Sequence, residues 1–406
     1  MARDLGPARP EDVGLSSAAI ANTDAKVQRL IDRGVLAGAV TLVARHGRVV
    51  HINAMGAKDM ASGEPLKTDT IFRIFSMTKP VTGAAMMILH DQGMWSPDDP
   101  IAKHLPEFAD VKVFAGLDAA GKPQLEDAEH APTLRELMTH TAGLSYGFDQ
   151  NDPLDALYRE ADVWQAGSLA EMARRIGGLP LAYQPGSKWL YSLSMDIQGA
   201  IIERLSGQSL PDFMQARIFK PLGMVDTAFH TPPDKVVRRA TLYRKSKSRG
   251  LAPAENLLFG DRESPPALAS GGGGLVSTAA DYARFAQMLL NGGDFDGVRV
   301  LSPEAVRLMT ANHLPAWMLE AGFGVGQQKI RPGFGYGFDG AVFIDPDAAG
   351  IPVGEGTYQW DGAAGTWFWI DPKNDLLFVG MIQLMSETGP PLQAMTQKLM
   401  AEAILD

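Results

Sequence analysis

The apolar positions in the first sixty residues follow two different periods, which predicts a helix followed by a β-hairpin. Residues 17–33 carry apolar side chains at helical spacing, and Gly34 would end that helix. The runs 40–44 and 49–54 are rich in strand-favouring residues, and they flank a His46-Gly47 turn. We therefore expect these two runs to pair as antiparallel strands.

The next helix is predicted to begin at Ser76, directly after a short extended run over residues 70–74. Pro80 falls in its first turn, where proline is tolerated, and the helical pattern stops near Gly93. The apolar positions that give this segment its helical period are Val81, Ala84, Ala85, Ile88 and Leu89.

The middle of the chain is predicted to be mostly helical, with long loops. The stretch 231–270 is rich in proline and is expected to be irregular, and its basic part, residues 238–249, is typical of a solvated loop or an edge strand. The glycines 271–274 interrupt the helical pattern and are interpreted as a tight crossing near the site. The helices predicted around these segments cover residues 133–140, 168–176, 195–205, 210–218 and 279–290.

The last quarter of the chain is predicted to be rich in strands. Residues 334–344 alternate glycine with aromatic side chains. The runs 366–370 and 376–383 flank the turn-forming segment 371–375, which indicates a second hairpin. A final helix is expected over residues 391–404.

Strands at both chain ends with helices between them favour an α+β fold. Residues 1–90 and 271–406 would form one discontinuous domain, built around an antiparallel sheet with flanking helices. Residues 91–270 would form a second, mostly helical domain.

Composition and charge restrict the possible partners. The chain has 406 residues, of which 45% are hydrophobic and 21% charged, so it is typical of a globular protein with room for two domains. Its net charge of −10 argues against nucleic acid and against an anionic membrane as partners. It has no cysteine, which excludes disulfides, a thiol nucleophile and thiolate metal sites.

Targeting and cofactor signals are not evident in the sequence. Residues 1–16 lack the apolar core of a signal peptide, and no segment has the roughly 18 apolar residues that a membrane span requires. We therefore expect a cytoplasmic protein. No histidine has the spacing of a metal ligand motif and no glycine-rich stretch matches a phosphate-binding loop, so neither a metal nor another cofactor is expected. The sequence leaves the oligomeric state open.

The segment Ser76-Met77-Thr78-Lys79 carries the strongest chemical signal. Positions three residues apart share a helix face, so Lys79 would stand beside Ser76. A serine hydroxyl is a weak nucleophile until a base takes its proton, and a neighbouring neutral amine can do this. The start of a helix adds N–H groups and a partial positive charge that favour an oxyanion. The S-x-x-K pattern occurs in serine β-lactamases and penicillin-binding proteins.

Two further motifs, Tyr191-Ser192-Leu193 and Trp360-Asp361-Gly362, lie far away along the chain. Together with the longer segments 137–144 and 221–227, they give the chain a resemblance to the serine β-lactamase and penicillin-binding protein superfamily. The resemblance is strongest to the class C-like branch and, within it, to the family VIII carboxylesterases. The similar segments occur in the same order as in the family and together span roughly residues 15–390.

The resemblance implies a β-lactamase-like fold and a role for each motif. Ser76 would form an acyl-enzyme, and its backbone N–H would form the oxyanion hole together with that of Ala363. Lys79 and Tyr191 would share the proton, and the sequence leaves open which of them is the general base. The residues implied to contact the substrate are Trp360, Asp361 and Gly362.

Departures from the family pattern affect which substrate is expected, and they favour a small-molecule ester. Trp360 stands where related enzymes have the lysine that holds a substrate carboxylate, and Asp361 adds negative charge beside it. Leu193 replaces the asparagine that β-lactamases use to hold an acylamide side chain. The sequence therefore predicts a serine carboxylesterase that hydrolyses short-chain acyl esters, with weak β-lactam hydrolysis as a side activity.

Other functions stay open at this point. A β-lactamase, a DD-peptidase-like hydrolase and an acyltransferase would use the same residues, whereas a non-catalytic protein that binds acyl or peptidoglycan-like ligands would be expected to lose one of them. The G-x-S-x-G motif around Ser145 is typical of α/β-hydrolases, but a helix is predicted where that motif needs a strand, so Ser145 is interpreted as a loop serine. The segments 147–167 and 231–270 are predicted to line the cleft and to set specificity.

Overall fold

The computed structural model describes residues 5–246, 250–255, 263–325, 328–329, 332–386 and 389–405. Within these ranges, the α-helices in chain order are α1 Ser17–Asp32, α2 Thr78–Asp91, α3 Ile101–His104, α4 Leu134–Met138, α5 Pro153–Glu160, α6 Leu169–Gly177, α7 Ser194–Ser206, α8 Leu210–Met214, α9 Lys220–Leu222, α10 Ala279–Leu290, α11 Pro303–Thr310, α12 Ala316–Ala321, α13 Pro346–Ala349 and α14 Leu392–Ala403. Short 3₁₀ helices cover Pro10–Val13, Phe75–Met77, Pro106–Phe108, Val163–Gln165 and Pro233–Arg238, and a π-helix covers Gln215–Phe219.

The strands of the same ranges are β1 Gly6–Pro7, β2 Gly38–Arg45, β3 Arg48–Asp59, β4 Glu64–Pro65, β5 Phe72–Arg73, β6 Lys112–Leu117, β7 Pro123–Asp127, β8 Tyr243–Ser246, β9 Gly250–Pro253, β10 Val276–Ser277, β11 Asp294–Phe295, β12 Val298–Arg299, β13 Gly324–Val325, β14 Gln328–Lys329, β15 Phe334–Tyr336, β16 Ala341–Phe343, β17 Tyr358–Asp361, β18 Trp367–Asp371, β19 Leu376–Met381 and β20 Leu384–Met385.

A nine-stranded sheet joins the two ends of the chain. Its strand order is β1-β3-β2-β19-β18-β17-β16-β15, and β4 pairs with β3. The neighbouring strands are antiparallel except for β1 and β3. Strand β2 pairs with β19 along its length, with Arg45 opposite Leu376 and Val40 opposite Met381. The prediction of an α+β fold around an antiparallel sheet is confirmed, and both predicted hairpins are part of that sheet.

The central strands are buried on both faces because alternate side chains enter two separate cores. Along β19, Leu376 and Phe378 enter one core and Leu377 and Val379 enter the other. Helices α1 and α14 contribute to the first core, and α2 and α10 contribute to the second. Each large side chain buried in this way stabilises the fold by about 1.5–3 kcal/mol.

Helix α2 runs through the interior of the protein, and every residue from Thr78 to Leu89 is buried. Its sequence is apolar on nearly all sides, which is typical of a core helix. The short strand β5 pairs with β10 and leads into the 3₁₀ turn Phe75–Met77, which continues directly into α2. The start of α2 is therefore held between the sheet and the segment that precedes α10.

The middle of the chain differs from the prediction in three places. The β6–β7 hairpin lies inside the region expected to be helical. Helix α5 lies inside the expected loop 147–167, and strands β8 and β9 lie inside the expected irregular stretch 231–270. The basic segment 238–249 enters strand β8, and its residues 247–249 lie outside the described residues. The division into domains at residues 90 and 270 stays a prediction.

Among the described residues, we find no helix that is both long enough and apolar enough to pass through a bilayer.

Gly380 is closely packed against an aromatic side chain of the neighbouring strand of the main sheet. It lies opposite Trp367 in the register of β18 and β19, and a methyl group on Gly380 would come within 2.1 Å of the Trp367 indole. Because the indole is buried, Gly380→Ala must displace it. We expect the substitution to lower the free energy of unfolding by about 1–3 kcal/mol in urea denaturation.

Gly178→Ala is the matched control. Its backbone has a φ of −87°, and an added methyl group would come no closer than 3.6 Å to a neighbouring atom. It should change the free energy of unfolding by less than about 1 kcal/mol. Equal stability of Gly380→Ala and the wild-type protein would contradict the packing described for Trp367.

Candidate active site

Ser76 lies in the 3₁₀ turn that leads into α2, so Lys79 falls in the first turn of the helix. Ser76 is half-buried, whereas its neighbours on both sides are buried. Phe75 has a φ of +43°, in the left-handed region that residues other than glycine rarely adopt. Backbone strain of this kind persists only where the surrounding structure holds it, and it is frequent at functional positions.

Two proton-carrying groups meet at the hydroxyl of Ser76. Lys79 Nζ donates to Ser76 Oγ over 3.1 Å, and the Tyr191 hydroxyl donates to the same atom over 2.8 Å. Lys79 is fully buried, and its Nζ also lies 4.7 Å from the centre of the Tyr191 ring. The structure thus brings the first two sequence motifs together, although Tyr191 follows Ser76 by 115 residues.

The carbonyl of Gly272 is the second acceptor for Lys79 Nζ, at 2.6 Å. Buried N–H donors are stable only when they have acceptors, so this carbonyl helps to fix where the Lys79 side chain ends. A methyl group on Gly272 would lie 2.8 Å from Asp196 Oδ2, which leaves no room for a side chain there.

Threonines of α2 hold the rest of the glycine segment against the helix. The Thr82 hydroxyl donates to the Gly271 carbonyl over 2.7 Å, and Thr78 Oγ1 accepts from the N–H of Leu275 over 3.1 Å. On its other side, a Cβ at Gly271 would lie 2.4 Å from the carbonyl of Met195 in α7. The segment therefore passes between α2 and α7, as the tight crossing predicted for residues 271–274.

The third motif lies at the end of β17. Trp360 is buried, and its indole centre is 5.7 Å from that of the Tyr191 ring. Gly362 packs against the chain just before the nucleophile, since a Cβ there would lie 2.3 Å from the Ile74 carbonyl. The motif is therefore adjacent to both Tyr191 and the turn that carries Ser76.

Asp361 is solvent-exposed at the end of β17, but the surrounding protein reduces the hydration of its carboxyl group. The resulting loss of hydration raises its pKa to about 6, and the nearby Lys79 opposes that rise. Ala363 is exposed on the turn that Gly365 closes by donating its N–H to the Gly362 carbonyl over 2.8 Å. Within the ranges that the structure describes, we find no hydrogen-bond partner for the N–H of Ala363.

An aromatic cage surrounds the ring of Tyr191. The neighbouring ring centres are those of His140 at 4.7 Å, Tyr146 at 5.4 Å, Trp360 at 5.7 Å and Trp189 at 6.0 Å. His140 Nδ1 accepts the N–H of Ser192 over 3.2 Å, and burial holds the pKa of this imidazole well below its usual value. A neutral His140 is thus a structural support for the Tyr191 segment.

Two buried carboxyl groups near Lys79 were not identified from the sequence. Asp196 accepts from the Ser270 hydroxyl over 2.6 Å, and Asp339 accepts from the Gln198 amide over 2.9 Å. Burial raises the pKa of Asp196 and raises that of Asp339 far more, while Lys79 opposes both shifts. No local pattern marks either residue, because each is defined by contacts between distant segments.

Ser145, the serine of the G-x-S-x-G motif, is buried between α4 and α5. Its hydroxyl donates to the carboxylate of Asp155. A strand before the serine and a helix directly after it, which the α/β-hydrolase motif requires, are not found here. The interpretation of Ser145 as a loop serine agrees with this placement.

The arrangement can carry out acyl transfer. A half-exposed hydroxyl has two groups that can exchange its proton, and the turn that carries the Ala363 N–H, which has no partner among the described residues, lies beside the same segment. In the part of the chain that the structure describes, no three His, Asp or Glu side chains are grouped so that they could hold a metal ion.

Replacement of Gly272 tests whether its close approach sets the position of Lys79. In Gly272→Ala, the methyl group would collide with Asp196 and push the carbonyl away from Lys79 Nζ. We expect labelling of Ser76 by a fluorophosphonate to slow by about tenfold or more, because small displacements of reacting groups are costly. Labelling is followed by intact mass, with Gly178→Ala as the control, and an unchanged rate would contradict this role.

Comparisons with known proteins agree with the fold and the motifs. The family model described as Beta-lactamase matches residues 23–400. Protein Rv1367c of Mycobacterium tuberculosis is 39% identical over 374 residues, which cover 88% of each chain. Esterase EstB of Burkholderia gladioli is 32% identical over 387 residues, which cover 88% of this chain and 89% of EstB.

Among solved structures, the fold is similar to that of EstCE1, described as a hydrolase with promiscuous acyltransferase activity. The two superimpose with a TM-score of 0.76 at 27% identity, over 96% of this chain and 99% of EstCE1. The predicted resemblance to the serine β-lactamase-like superfamily is confirmed, and the chain belongs to the beta-lactamase family.

Proposed function

We propose that the protein is a serine carboxylesterase that hydrolyses neutral, short-chain acyl esters through an acyl-enzyme on Ser76, in the manner of the family VIII carboxylesterases. The observation that carries the proposal is the convergence of Lys79 Nζ and the Tyr191 hydroxyl on Ser76 Oγ, at 3.1 and 2.8 Å. Membership of the beta-lactamase family and the similarity to esterase EstB support a serine hydrolase with esterase activity.

In the first half of the proposed reaction, Ser76 Oγ attacks the ester carbonyl. Its proton passes to whichever of the two groups is deprotonated, the Lys79 amine or the Tyr191 phenolate, both of which lie within hydrogen-bond distance of Oγ. The negative charge that forms on the carbonyl oxygen is stabilised by the N–H groups of Ser76 and Ala363, and one such donor is worth about 3–4 kcal/mol of barrier. Collapse of the tetrahedral intermediate expels the alcohol, whose oxygen receives the proton.

In the second half, water attacks the acyl carbon of the Ser76 ester. The same pair, Lys79 and Tyr191, removes a proton from the water and returns one to Ser76 Oγ. The acid then leaves, and the resting hydrogen bonds at Ser76 re-form. Both halves depend on the same three side chains, because the second step is chemically the reverse of the first with water in place of the alcohol.

The preference for neutral acyl groups follows from the third motif. The Trp360 indole, which replaces the lysine of β-lactamases, is buried beside Tyr191 and carries no positive charge with which to form an ion pair with a carboxylate. Asp361 next to it repels an anionic substrate whenever it is ionised. These two residues favour an ester over a β-lactam or a peptide with a free carboxylate.

Acyl transfer to an alcohol is the second candidate. It uses Ser76, Lys79 and Tyr191 in the same roles, and EstCE1, which the chain resembles over nearly its whole length, is described as having this activity. A role as a non-catalytic binding protein is disfavoured because all three reactive side chains are present and in contact. A cytoplasmic location stays a prediction.

The first test compares the wild-type protein with Ser76→Ala on p-nitrophenyl butyrate. We expect the wild-type protein to show a burst and a single butyryl adduct by intact mass. The mutant should lose about 10³-fold or more in kcat and all of the adduct, because it lacks the attacking oxygen. Nitrocefin should be turned over more slowly than the ester by the wild-type protein.

Ser145→Ala is the matched control, since Ser145 belongs to the competing hydrolase motif. It should keep most of the esterase activity and the adduct. Loss of both in Ser145→Ala, or equal turnover by Ser76→Ala and wild type, would remove Ser76 as the nucleophile. Faster turnover of nitrocefin than of the ester would contradict the choice of substrate.

Asp361 should make the choice between neutral and anionic esters depend on pH. Its pKa of about 6 means that it is neutral below that pH and anionic above it. We expect kcat/KM for an ester with a sulfonate on its acyl chain, relative to p-nitrophenyl butyrate, to fall several-fold between pH 5 and pH 7.5. The sulfonate stays ionised over this whole pH range, so a change in the ratio reflects the ionisation of a group on the enzyme.

Asp361→Asn should abolish this pH dependence of the ratio and hold it at the low-pH value, because an amide carries no charge at either pH. Taking a ratio of two substrates cancels the titration of groups that affect both equally. A ratio that changes with pH to the same extent in Asp361→Asn would assign the effect to a different residue.

A further inference from the structure

Three aromatic rings, those of Tyr146, Phe148 and Trp164, lie nearly parallel at the side of the site and form what we call the aromatic platform. The angle between Tyr146 and Phe148 is 10°, with ring centres 4.7 Å apart. Trp164 lies 6.0 Å from Tyr146 and 5.9 Å from Phe148, at angles of 11° and 18°. Phe148 is 48% exposed, so apolar surface of the platform faces solvent.

Hydrogen bonds to neighbouring backbone groups hold the aromatic platform in place. Trp164 Nε1 donates to the Tyr146 carbonyl over 3.3 Å, and Arg159 donates to the carbonyl of Asp149 over 2.6 Å. Asp155, which is buried, accepts the N–H of Asp149 over 2.8 Å. These bonds tie the segment 146–149 to α5 and to Trp164, so the three rings are held in this arrangement without a ligand.

The platform begins at the proton-carrying side of Ser76. The Tyr146 ring centre is 5.4 Å from that of Tyr191 and 5.7 Å from Lys79 Nζ. Burial raises the pKa of the Tyr146 phenol well above its usual value, and the neighbouring Tyr191 and Asp196 act in the same direction. Tyr146 therefore stays neutral, and its phenol ring lies next to the reacting groups.

This position distinguishes the two ends of an ester. The leaving oxygen must lie next to Lys79 and Tyr191 because one of them protonates it, whereas the carbonyl oxygen faces the N–H groups of Ser76 and Ala363. The carbon chain on the leaving oxygen therefore starts next to the Tyr146 ring, within reach of the platform, because that ring lies 5.4 Å from the Tyr191 ring and 5.7 Å from Lys79 Nζ. An alcohol that attacks the acyl-enzyme reverses the step in which the alcohol leaves, so it occupies the same position as the leaving alcohol.

We propose that the aromatic platform is the subsite for the alcohol part of the ester, that it selects aromatic and large apolar alcohols, and that it lets such alcohols compete with water for the acyl-enzyme. In that transfer the alcohol oxygen bonds to the acyl carbon, the bond from that carbon to Ser76 Oγ breaks, and the alcohol proton ends on Ser76 Oγ through Lys79 or Tyr191. The inference rests on the esterase function proposed above.

Two isomeric esters test which side of the substrate the platform contacts. Benzyl acetate carries its ring on the alcohol, and methyl phenylacetate carries it on the acyl group. We expect the wild-type protein to prefer benzyl acetate in kcat/KM, and Phe148→Ala to lower this preference about fivefold, because stacking with a ring is lost. Val225→Ala, at a position that is 73% exposed and not part of the platform, should leave the preference unchanged.

A second experiment measures which alcohol accepts the acyl group from the acyl-enzyme. With p-nitrophenyl butyrate as the acyl donor and equal concentrations of benzyl alcohol and ethanol, more benzyl butyrate than ethyl butyrate should form. Phe148→Ala should reduce that excess about fivefold, in step with the ester preference. The thermal midpoints of both variants show that they are folded, and the exposed position of Phe148 makes a large change in stability unexpected.

The outcomes separate this inference from the proposed function. An unchanged preference in Phe148→Ala, or a loss confined to methyl phenylacetate, would overturn the platform as the alcohol subsite while esterase activity remains. Turnover of p-nitrophenyl butyrate with neither aromatic ester accepted would do the same. No turnover of any ester by the folded wild-type protein would overturn both proposals together.

Discussion

The burial of Lys79 is the constraint on which the rest of the site depends. A fully buried amine needs hydrogen-bond partners, because leaving it unpaired in the interior costs several kcal/mol. The two partners are Ser76 Oγ, one turn back along the chain, and the Gly272 carbonyl, which arrives from a segment almost 200 residues later. Where that segment passes between α2 and α7, a Cβ at Gly271 or Gly272 would lie 2.4 or 2.8 Å from an atom of α7, so the absence of side chains there lets the carbonyl reach Lys79.

The surroundings of Lys79 and Tyr191 are enclosed and rigid. Aromatic rings surround Tyr191, and the carboxyl groups of Asp196 and Asp339 are buried close enough to Lys79 for its charge to affect their pKa. In such a low-dielectric environment each charge acts more strongly on its neighbours than it would in water. The proton transfers proposed for the reaction therefore take place among groups that need little rearrangement, which is the usual structural basis of electrostatic catalysis.

Local sequence signals predicted the parts of the fold that depend on local periodicity. The helix over 279–290 and the hairpin around His46-Gly47 are as expected, because their hydrophobic period and turn residues agree with the tertiary structure. The β6–β7 hairpin was missed because β7 is fully exposed and carries no apolar alternation. Helix α5 was missed although Asp152 caps its start and Leu154, Leu157 and Tyr158 have helical spacing, because the helix spans only eight residues. The same limit applies to the site: Ser76, Lys79 and Tyr191 were found through motifs, whereas the partnership of Lys79 with Gly272 exists only in the folded chain.

The pairing of β2 with β19 also determines when the protein can fold during synthesis. Strand β2 is buried on both sides, yet its partner is translated about 330 residues later, which takes on the order of 20–60 s at typical elongation rates. During that interval β3 can pair with one edge of β2, but the edge that pairs with β19 stays unsatisfied. Closure of such a long-range contact is slow, so the native sheet cannot form before β19 has been synthesised, and until then the N-terminal strands expose apolar surface of the kind that chaperones bind.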